Sequence, residues 1–384
     1  MRLEPEQESI LRGEQGQVLA LAMRSLVDYG RAFGASRLVP IQSGHLAGTF
    51  GMFNLRAYYK VLDRIAASGL KVKVKTTCNP RPGRQASIAN RFLFRAQRRL
   101  EARLDELGVT GNFSCVPYES ANVPAPGARL AWAESSAVQF ANSVFGARTN
   151  RNSLLIDLCS ALTGLTPEFG YLLDQNRLAK ILVRLKARRV DASALGFLLG
   201  QQAVNQVPVI EHYPFSRIEL KNMGGAMAAS GAVALFHVEG ITPEAPDLPS
   251  VLDGEPARTI TITQEDLDRL RARNPERASM VVFGCPQMTF EEANEIGALY
   301  AGKKTKVPTW FCLIPEAKRR FQETELGRRV QAAGVEVHDF CPLAALTIRI
   351  GKKRVLTSSG KLFYYLSGTD YGTVEDCLKG SGVL

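Results

Sequence analysis

Hydrophobic positions in the first third of the chain recur with helix spacing and strand alternation in turn. Residues 8–33 carry apolar side chains three and four apart, which predicts one or two helices stopping near Gly34. Residues 37–41 predict a short strand, followed by a polar, glycine-containing turn over 43–50. A helix over 55–67 leads through Gly69 into an alternating stretch, 70–76, that reads as a second strand. Strand, turn, helix, strand is the grammar of an α/β domain. Beyond it, 84–107 predicts a long basic helix and 132–144 a helix ending at Gly146. Residues 154–162 and 177–188 predict further helices.

The middle of the chain holds a small-residue stretch, 225–229, and a β-prone run, 232–238. Four prolines between 242 and 256 mark a linker. The last third alternates most clearly. Strands are expected over 280–284, 307–314, 335–338 and 355–357, with helices over 290–300 and 317–333 between them. That order predicts a parallel sheet with crossover helices in three layers. The domains expected are 1–150, 151–255 and 256–384, all α/β.

Composition narrows the class. With 384 residues, 45% hydrophobic and 22% charged, the chain has the make-up of a globular protein of two or three domains. No apolar run reaches the roughly 18 residues of a membrane span, and the acidic, polar N-terminus lacks a secretory pattern. A cytoplasmic location is expected, with seven cysteines as free thiols or metal ligands rather than disulfides. The net charge of +11 raises nucleic-acid binding. Its densest clusters, 91–103 and 180–189, recur at helical spacing, however, and read as solvated faces that also attract an anionic substrate.

Candidate chemistry lies at strand ends, where parallel α/β sheets bind their ligands. Cys285 follows the strand 280–284 and Cys341 the strand 335–338, so both thiols are expected on one edge of one sheet. Each is followed by proline, which discourages regular structure. Cys115, in CVPY at 115–118, has a related setting. Cys159, Cys312 and Cys377 read as buried apolar residues; Cys78, in the turn TTCNP at 76–80, reads either way. The densest polar signature is ESSAVQFANSVFGARTNR at 134–151, containing Ser135, Ser136, Asn142, Ser143, Arg148, Thr149, Asn150 and Arg151. Its two arginines suit an anionic substrate. The alternative is a helix C-cap at Gly146 followed by a solvated basic loop. The turn TSSGK at 357–361 brings Ser359 and Lys361 to a possible oxyanion site, or is an ordinary solvated turn. It is not a P-loop, whose leading Gly-x-x-x-x it lacks. His237 and Glu239, at the end of the middle β run, are candidates for catalysis, although a strand histidine is commonly a satisfied core residue.

Taken in order, these segments resemble the aconitase X family over nearly the whole chain. The matching pieces are ESILRGEQG at 8–16, RLVPI at 37–41 with Gly44 and His45, Thr76 and Thr77 with Asn79, CVPY at 115–118 and NVP at 122–124. The stretch 134–151 is the most specific. LFHVEGITPE at 235–244, GCP at 284–286, CP at 341–342 and SGK at 359–361 complete the order. The resemblance implies an aconitase-like fold of three α/β domains around an iron–sulfur cluster ([4Fe–4S], [3Fe–4S] or [2Fe–2S]) held by Cys115, Cys285 and Cys341. It implies a hydro-lyase acting on a small hydroxy acid, of the cis-3-hydroxy-L-proline or phosphomevalonate type. Ser359, Lys361, His237 and Glu239 are the catalytic candidates. Ser135, Ser136, Asn142, Ser143, Arg148, Thr149, Asn150 and Arg151, with His45, Thr76 and Thr77, are the candidate substrate contacts. The family's small swivelling domain has no counterpart before Leu384, so a small partner subunit supplying a catalytic serine is expected.

The sequence departs from the family pattern at 152–155 (NSLL in place of an acidic, glycine-rich continuation), at Gln287 in place of histidine, in the turn 43–50, and at Cys78. Two rival readings remain: an aconitase-like isomerase, and a catalytically inactive regulatory or nucleic-acid-binding relative that uses the positive charge.

Overall fold

In the computed structural model, which describes residues 1–48, 56–83, 95–347 and 354–384, three parallel sheets follow one another along the chain. The first has β2 (Ser43–Leu46) between β3 (Lys75–Cys78) and β4 (Leu130–Trp132). Beside it, β1 (Leu38–Pro40) pairs antiparallel with β5 (Leu165–Pro167). Helix Gln17–Ala32 buries Met23, Leu26 and Val27 against Leu158 and Leu162 of helix Leu154–Thr163. The expected strand over 70–76 begins only at Lys75. Before it, Val72 N donates to Leu107 O and Lys73 N to Ala161 O, so those residues bond to loop and helix ends instead of a ladder. Residues 49–50 of the expected turn, Leu55 of the next helix, and 84–94 of the expected basic helix lie outside the described residues. The described part of that basic helix is Arg95–Glu106.

The second sheet has the order β8-β7-β6-β9, from β6 (Ile181–Lys186), β7 (Pro208–Ile210), β8 (His237–Val238) and β9 (Arg258–Thr263). The helix expected over 177–188 is therefore a central strand. Its basic residues mimic helical spacing, but Ile181, Leu182 and Val183 are buried on both faces, and only then do exposed Arg184 and Lys186 alternate with Leu185. Two helices cover the sheet. Ala192–Ala203 is capped by Asp191, whose carboxylate accepts from Ser193 N and Ala194 N at 3.1 Å each. Arg217–Gly231 opens with a capping box of Ser216 and Glu219.

The third sheet runs β12-β11-β10-β13-β14, built from β10 (Met280–Met288), β11 (Thr309–Leu313), β12 (Val335–His338), β13 (Val355–Thr357) and β14 (Thr369–Tyr371). The order reverses between β10 and β13, which makes the carboxyl ends of those two strands the topological switch point where such sheets bind ligands. The single helix expected over 317–333 is two, Pro315–Glu323 and Glu325–Ala332. Thr324 between them is extended, and its hydroxyl accepts from Gly327 N at 2.9 Å as a new N-cap.

Elements beyond the expected boundaries at 150 and 255 pack with the sheets that precede them. Helix Leu154–Thr163 and β5 pack with the first sheet, and β9 closes the second. A single apolar cluster, including Trp132, Phe140, Phe236, Phe283 and Phe311, runs through all three domains and fixes their sheets in one frame. No helix of the described residues is long and apolar enough to cross a membrane.

Candidate functional site

The site is assembled where the carboxyl ends of the first and third sheets meet helix Arg217–Gly231. In β10 the pairing with β11 slips between Phe283 and Met288. Gly284 makes the slip possible. Its φ is +104°, and a Cβ there would sit 2.2 Å from Cys312 O, so no other residue fits. The irregularity turns Cys285, Pro286 and Gln287 out of the ladder. Cys341 N donates to Arg81 O at 2.7 Å, and Cys341 Sγ accepts from Ala344 N at 3.5 Å at the start of helix Pro342–Thr347. Cys115 comes from the first domain, and its Sγ accepts from Gln287 N at 3.3 Å. The three thiols act on one another electrostatically. Burial is the main force pushing Cys115 up to about 12, with Glu134 adding to it and Lys361 opposing. Burial raises Cys285 and Cys341 likewise.

Beside the thiols lies a buried ion pair joining the first and third domains. Lys361 Nζ donates to Glu134 Oε1 and to Ser136 Oγ, both at 2.5 Å. Burial works against the Lys361 charge, but Glu134 and the neighbouring thiols outweigh it and hold the ammonium above its ordinary pKa. Burial likewise opposes the Glu134 carboxylate. Lys361, together with a 2.7 Å bond from Ala137 N, holds it below the usual carboxylate range. That last bond is the N-cap of helix Ser135–Val144. Glu134 was passed over as a site residue in the sequence, although its place just beyond β4 and ahead of a helix was the available signal.

A separate polar chain lies close enough for Glu134 to act on His45. Asn122 Nδ2 donates to Thr77 Oγ1 at 3.1 Å, Thr77 Oγ1 lies 2.8 Å from His45 Nδ1, and His45 Nε2 lies 2.9 Å from Asn79 Oδ1. Because Asn79 Oδ1 can only accept, Nε2 carries the proton and Nδ1 accepts from Thr77. Burial lowers the His45 pKa to about 4, so the ring is neutral.

The remaining sequence candidates divide. Ser136 touches Lys361, and Ser135 bonds only to Glu134. Ser359 is an N-cap: its Oγ accepts from Leu362 N at 2.9 Å and donates to Cys285 O, so its hydroxyl is engaged in positioning. Thr76 bonds back to Val74 O. Asn142 is consumed by Thr149 N, Thr149 O and Ala234 O, Ser143 by Phe236 N, Thr149 by Trp132, and Asn150 by Phe169 O and Tyr171 N. Asn142 and Ser143 tie helix Ser135–Val144 to the second domain, while Thr149 and Asn150 fasten the 147–151 loop within the first. His237 Nε2 meets Arg177 O, and Glu239 accepts from His212 N. Among the described residues neither is bonded to the Glu134–Lys361 pair.

The two arginines also differ. Arg148 is engaged by Asp174 and Leu172 O. Arg151 is exposed, has no carboxylate partner among the described residues, and donates to Ala228 O at 3.0 Å. Ala228 lies one turn beyond Gly225 on the same helix face. A Cβ at Gly225 would lie 2.7 Å from Pro286 Cγ and 3.6 Å from Ser136 Cβ, so that face looks onto the site.

The donor set suits an iron–sulfur cluster. No three His, Cys, Asp or Glu side chains among the described residues gather tightly enough to share a single ion. A cluster reaches its cysteines across several bonds and needs them farther apart. Main-chain N–H groups already point at two of the sulfurs, the hydrogen bonding that tunes such clusters.

Comparison with known proteins agrees over the whole length. Residues 1–175, 179–272 and 278–381 match, in order, the Aconitase X first, second and third domains. The chain is 35% identical to the phosphomevalonate dehydratase large subunit of Thermococcus kodakarensis, covering 99% of each. It is 33% identical to that of Methanocaldococcus jannaschii, covering 99% of this chain and 100% of the relative. Cis-3-hydroxy-L-proline dehydratase of Pseudomonas aeruginosa is 32% identical over 96% of this chain and 67% of the relative. The crystal structure of Thermococcus kodakaraensis aconitase X in its holo-form superimposes with a TM-score of 0.88 at 32% identity, covering 99% of each chain. The chain therefore belongs to the aconitase X family of dehydratases, a hydro-lyase class.

Proposed function

We propose that this chain is the cluster-bearing large subunit of a cytoplasmic, two-subunit hydro-lyase that removes water from a small hydroxy acid of the phosphomevalonate type. The supporting observation is the convergence of Cys115, Cys285 and Cys341 beside the Glu134–Lys361 pair, in a chain that matches relatives named as large subunits from end to end. Free cysteines throughout the described residues accord with a reducing compartment.

Cys115, Cys285 and Cys341 would hold the cluster, which supplies a Lewis acid for a hydroxyl or carboxylate oxygen. The chain's own residues do the binding. Lys361, kept charged by Glu134, offers an ammonium to the substrate carboxylate, and Ser136 shares its hydrogen bonds. Arg151, exposed and without an acidic partner among the described residues, takes the distal anion. Gly225 and Pro286 form a tight wall that leaves little room for water. Lys361 is held protonated and cannot accept the proton lost in the elimination, while Glu134, with its lowered pKa, is a weak base. The reading therefore gives proton abstraction to the small subunit, where the family resemblance places a serine.

A second substrate, cis-3-hydroxy-L-proline, is favoured by the 32% identity to the Pseudomonas enzyme. One experiment separates the two. The large subunit is co-expressed with its small partner and purified without oxygen, beside a Cys285→Ala variant. Iron and acid-labile sulfide are measured, and each substrate is followed by mass spectrometry for loss of one water. Iron in the wild type only, with dehydration of phosphomevalonate, is expected. Dehydration of hydroxyproline alone moves the assignment to the second reading, and a wild type without iron after reconstitution overturns the cluster mechanism.

A further inference from the structure

Gln287 is wholly buried, and every polar atom it owns is engaged around the three cysteines. Its main-chain N donates to Cys115 Sγ, while its side-chain Oε1 accepts from Cys115 N at 3.2 Å. Its Nε2 donates to Leu313 O at 2.9 Å and to Asp339 O at 3.1 Å. Its carbonyl accepts from Lys221 Nζ at 3.1 Å, and that ammonium is in turn paired with Glu292 at 2.5 Å. The amide orientation is unambiguous, since two carbonyls face the nitrogen and one N–H faces the oxygen.

The partners define what this amide does. Gln287 stands two residues after Cys285, and Asp339 two residues before Cys341. Cys115 is bonded directly. One side chain thus ties together the backbones of all three cysteine segments, across the ends of β10 and β11, the loop after β12, and the first domain. Among the described residues the Cys115 segment has no ladder bond to the third domain.

We propose that Gln287 is a positioning residue that sets the spacing of Cys115, Cys285 and Cys341 around the cluster. This rests on the cluster reading given above. Glutamine is suited to the task because it donates twice and accepts once without carrying charge. Glutamate keeps the acceptor for Cys115 N but sets a carboxylate oxygen against two carbonyls. Methionine fills the space and makes none of the bonds. Histidine offers one donor and one acceptor, so it restores part of the set.

The test uses the two-subunit holoenzyme, anaerobically reconstituted, as wild type, Gln287→Met, Gln287→Glu and Gln287→His. Release of iron to a chelator is timed, the electron paramagnetic resonance spectrum of the retained cluster is recorded, and thermal unfolding of each iron-free form is measured. Loss of such supporting hydrogen bonds typically weakens metal binding about 10–100-fold. Iron release at least about tenfold faster is therefore expected in Gln287→Met and Gln287→Glu, with a changed spectrum and with Gln287→His in between. If the variants release iron at the wild-type rate with the wild-type spectrum, whatever their unfolding temperatures, Gln287 only packs and the proposal is overturned. If the wild type itself binds no iron, the cluster reading falls with it.

Discussion

Lys361 and Glu134 are both almost closed off from water, and each is tolerable there only because of the other. Breaking such a pair strands an uncompensated charge, at about 3–5 kcal/mol. Lys361→Met is expected to lower stability by about that amount and to abolish turnover. Adding Glu134→Gln should restore most of the stability and none of the activity. Denaturant unfolding of the single and double variants checks this, and a double variant as unstable as Lys361→Met would falsify the pairing. His45 carries a different signature. Its ordinary pKa of 6.5 falls to about 4 on folding, so between those values the unfolded chain binds a proton that the folded one refuses. The neutral ring's contribution is complete above pH 6.5 and is lost as pH falls toward 4. At about 1.4 kcal/mol per unit, it is worth roughly 3 kcal/mol. A His45→Asn variant should show a shallower loss of stability from pH 7 to pH 5; equal slopes would remove His45 from the account. At this scale the sequence revealed residue types better than roles. That Cys285 and Cys341 come from strands of one parallel sheet was legible from the strand pattern, while their part with Cys115 as ligands remains the proposal. Arg148, Asn142 and Ser359 look as polar as any site residue, yet their hydrogen bonds go to a loop, a neighbouring segment and a helix cap. Which hydroxyl or amide is already engaged is a property of tertiary partners, not of spacing.

Among the elements, helix Arg217–Gly231 does most to hold the site, and its small residues allow it. Gly224 and Gly225 stand side by side but face different neighbours. A Cβ on Gly224 would meet the far end of Gln139, 2.5 Å from its Oε1, a flexible side chain that can yield at the cost of its bond to Val233 O. One on Gly225 would meet the Pro286 ring, next to Cys285 and unable to yield. Ala in place of Gly favours a helix by about 1 kcal/mol, whereas overpacking costs about 1–3 kcal/mol. Gly225→Ala should therefore lose catalytic rate and stability together, while Gly224→Ala stays near wild type in both. Parallel measurements of kcat and unfolding temperature decide it, and equal effects would mean that Pro286 is not the fixed wall described here. The helix shows what an element's pattern conceals. Its apolar positions face three partners at once, so no single stripe announced it, and only residues 225–229 stood out as unusually small. The strand β6 hid for the opposite reason. Its first half is buried on both faces and lacks alternation, and its basic residues fall by chance at helical intervals. The last third was legible because its strands are short, apolar and separated by amphipathic helices. The break at Thr324 went unseen, since apolar spacing continues across it.

At the scale of the molecule, the first and third sheets bring their loops to helix Arg217–Gly231 of the second domain, and the connections there are of two strengths. Helix Arg217–Gly231 packs on helices Ser135–Val144 and Gly360–Tyr365 and on β10, through close apolar contact inside the common core. By contrast, Cys115 and Cys341 themselves lie in loops, tied across the site by Gln287 to Cys115 and by Arg81 O to Cys341 N, while Val116, Tyr118 and Phe340 beside them are buried in apolar clusters. Order of β-strands and sharing of one core are long-range facts, which is why a reading based on prolines and composition could not show that β5 pairs with β1 and β9 with β6. The two strengths predict how the protein responds to loss of metal. A ligand bound only by the folded state adds stability by mass action, and here two of the three proposed attachment points, Cys115 and Cys341, lie in loops, while Cys285 lies in β10. Stripping iron should leave a cooperatively folded protein with a lower unfolding temperature. Hydrogen exchange should rise at residues 112–120, 285–288 and 339–344, and stay unchanged in helix Ala192–Ala203, whose Gly196 and Gly200 lie in tight contact with the neighbouring helix. Exchange that rises throughout all three domains would show that the cluster holds the domains together, and the shared core would then be too weak to do what is claimed for it.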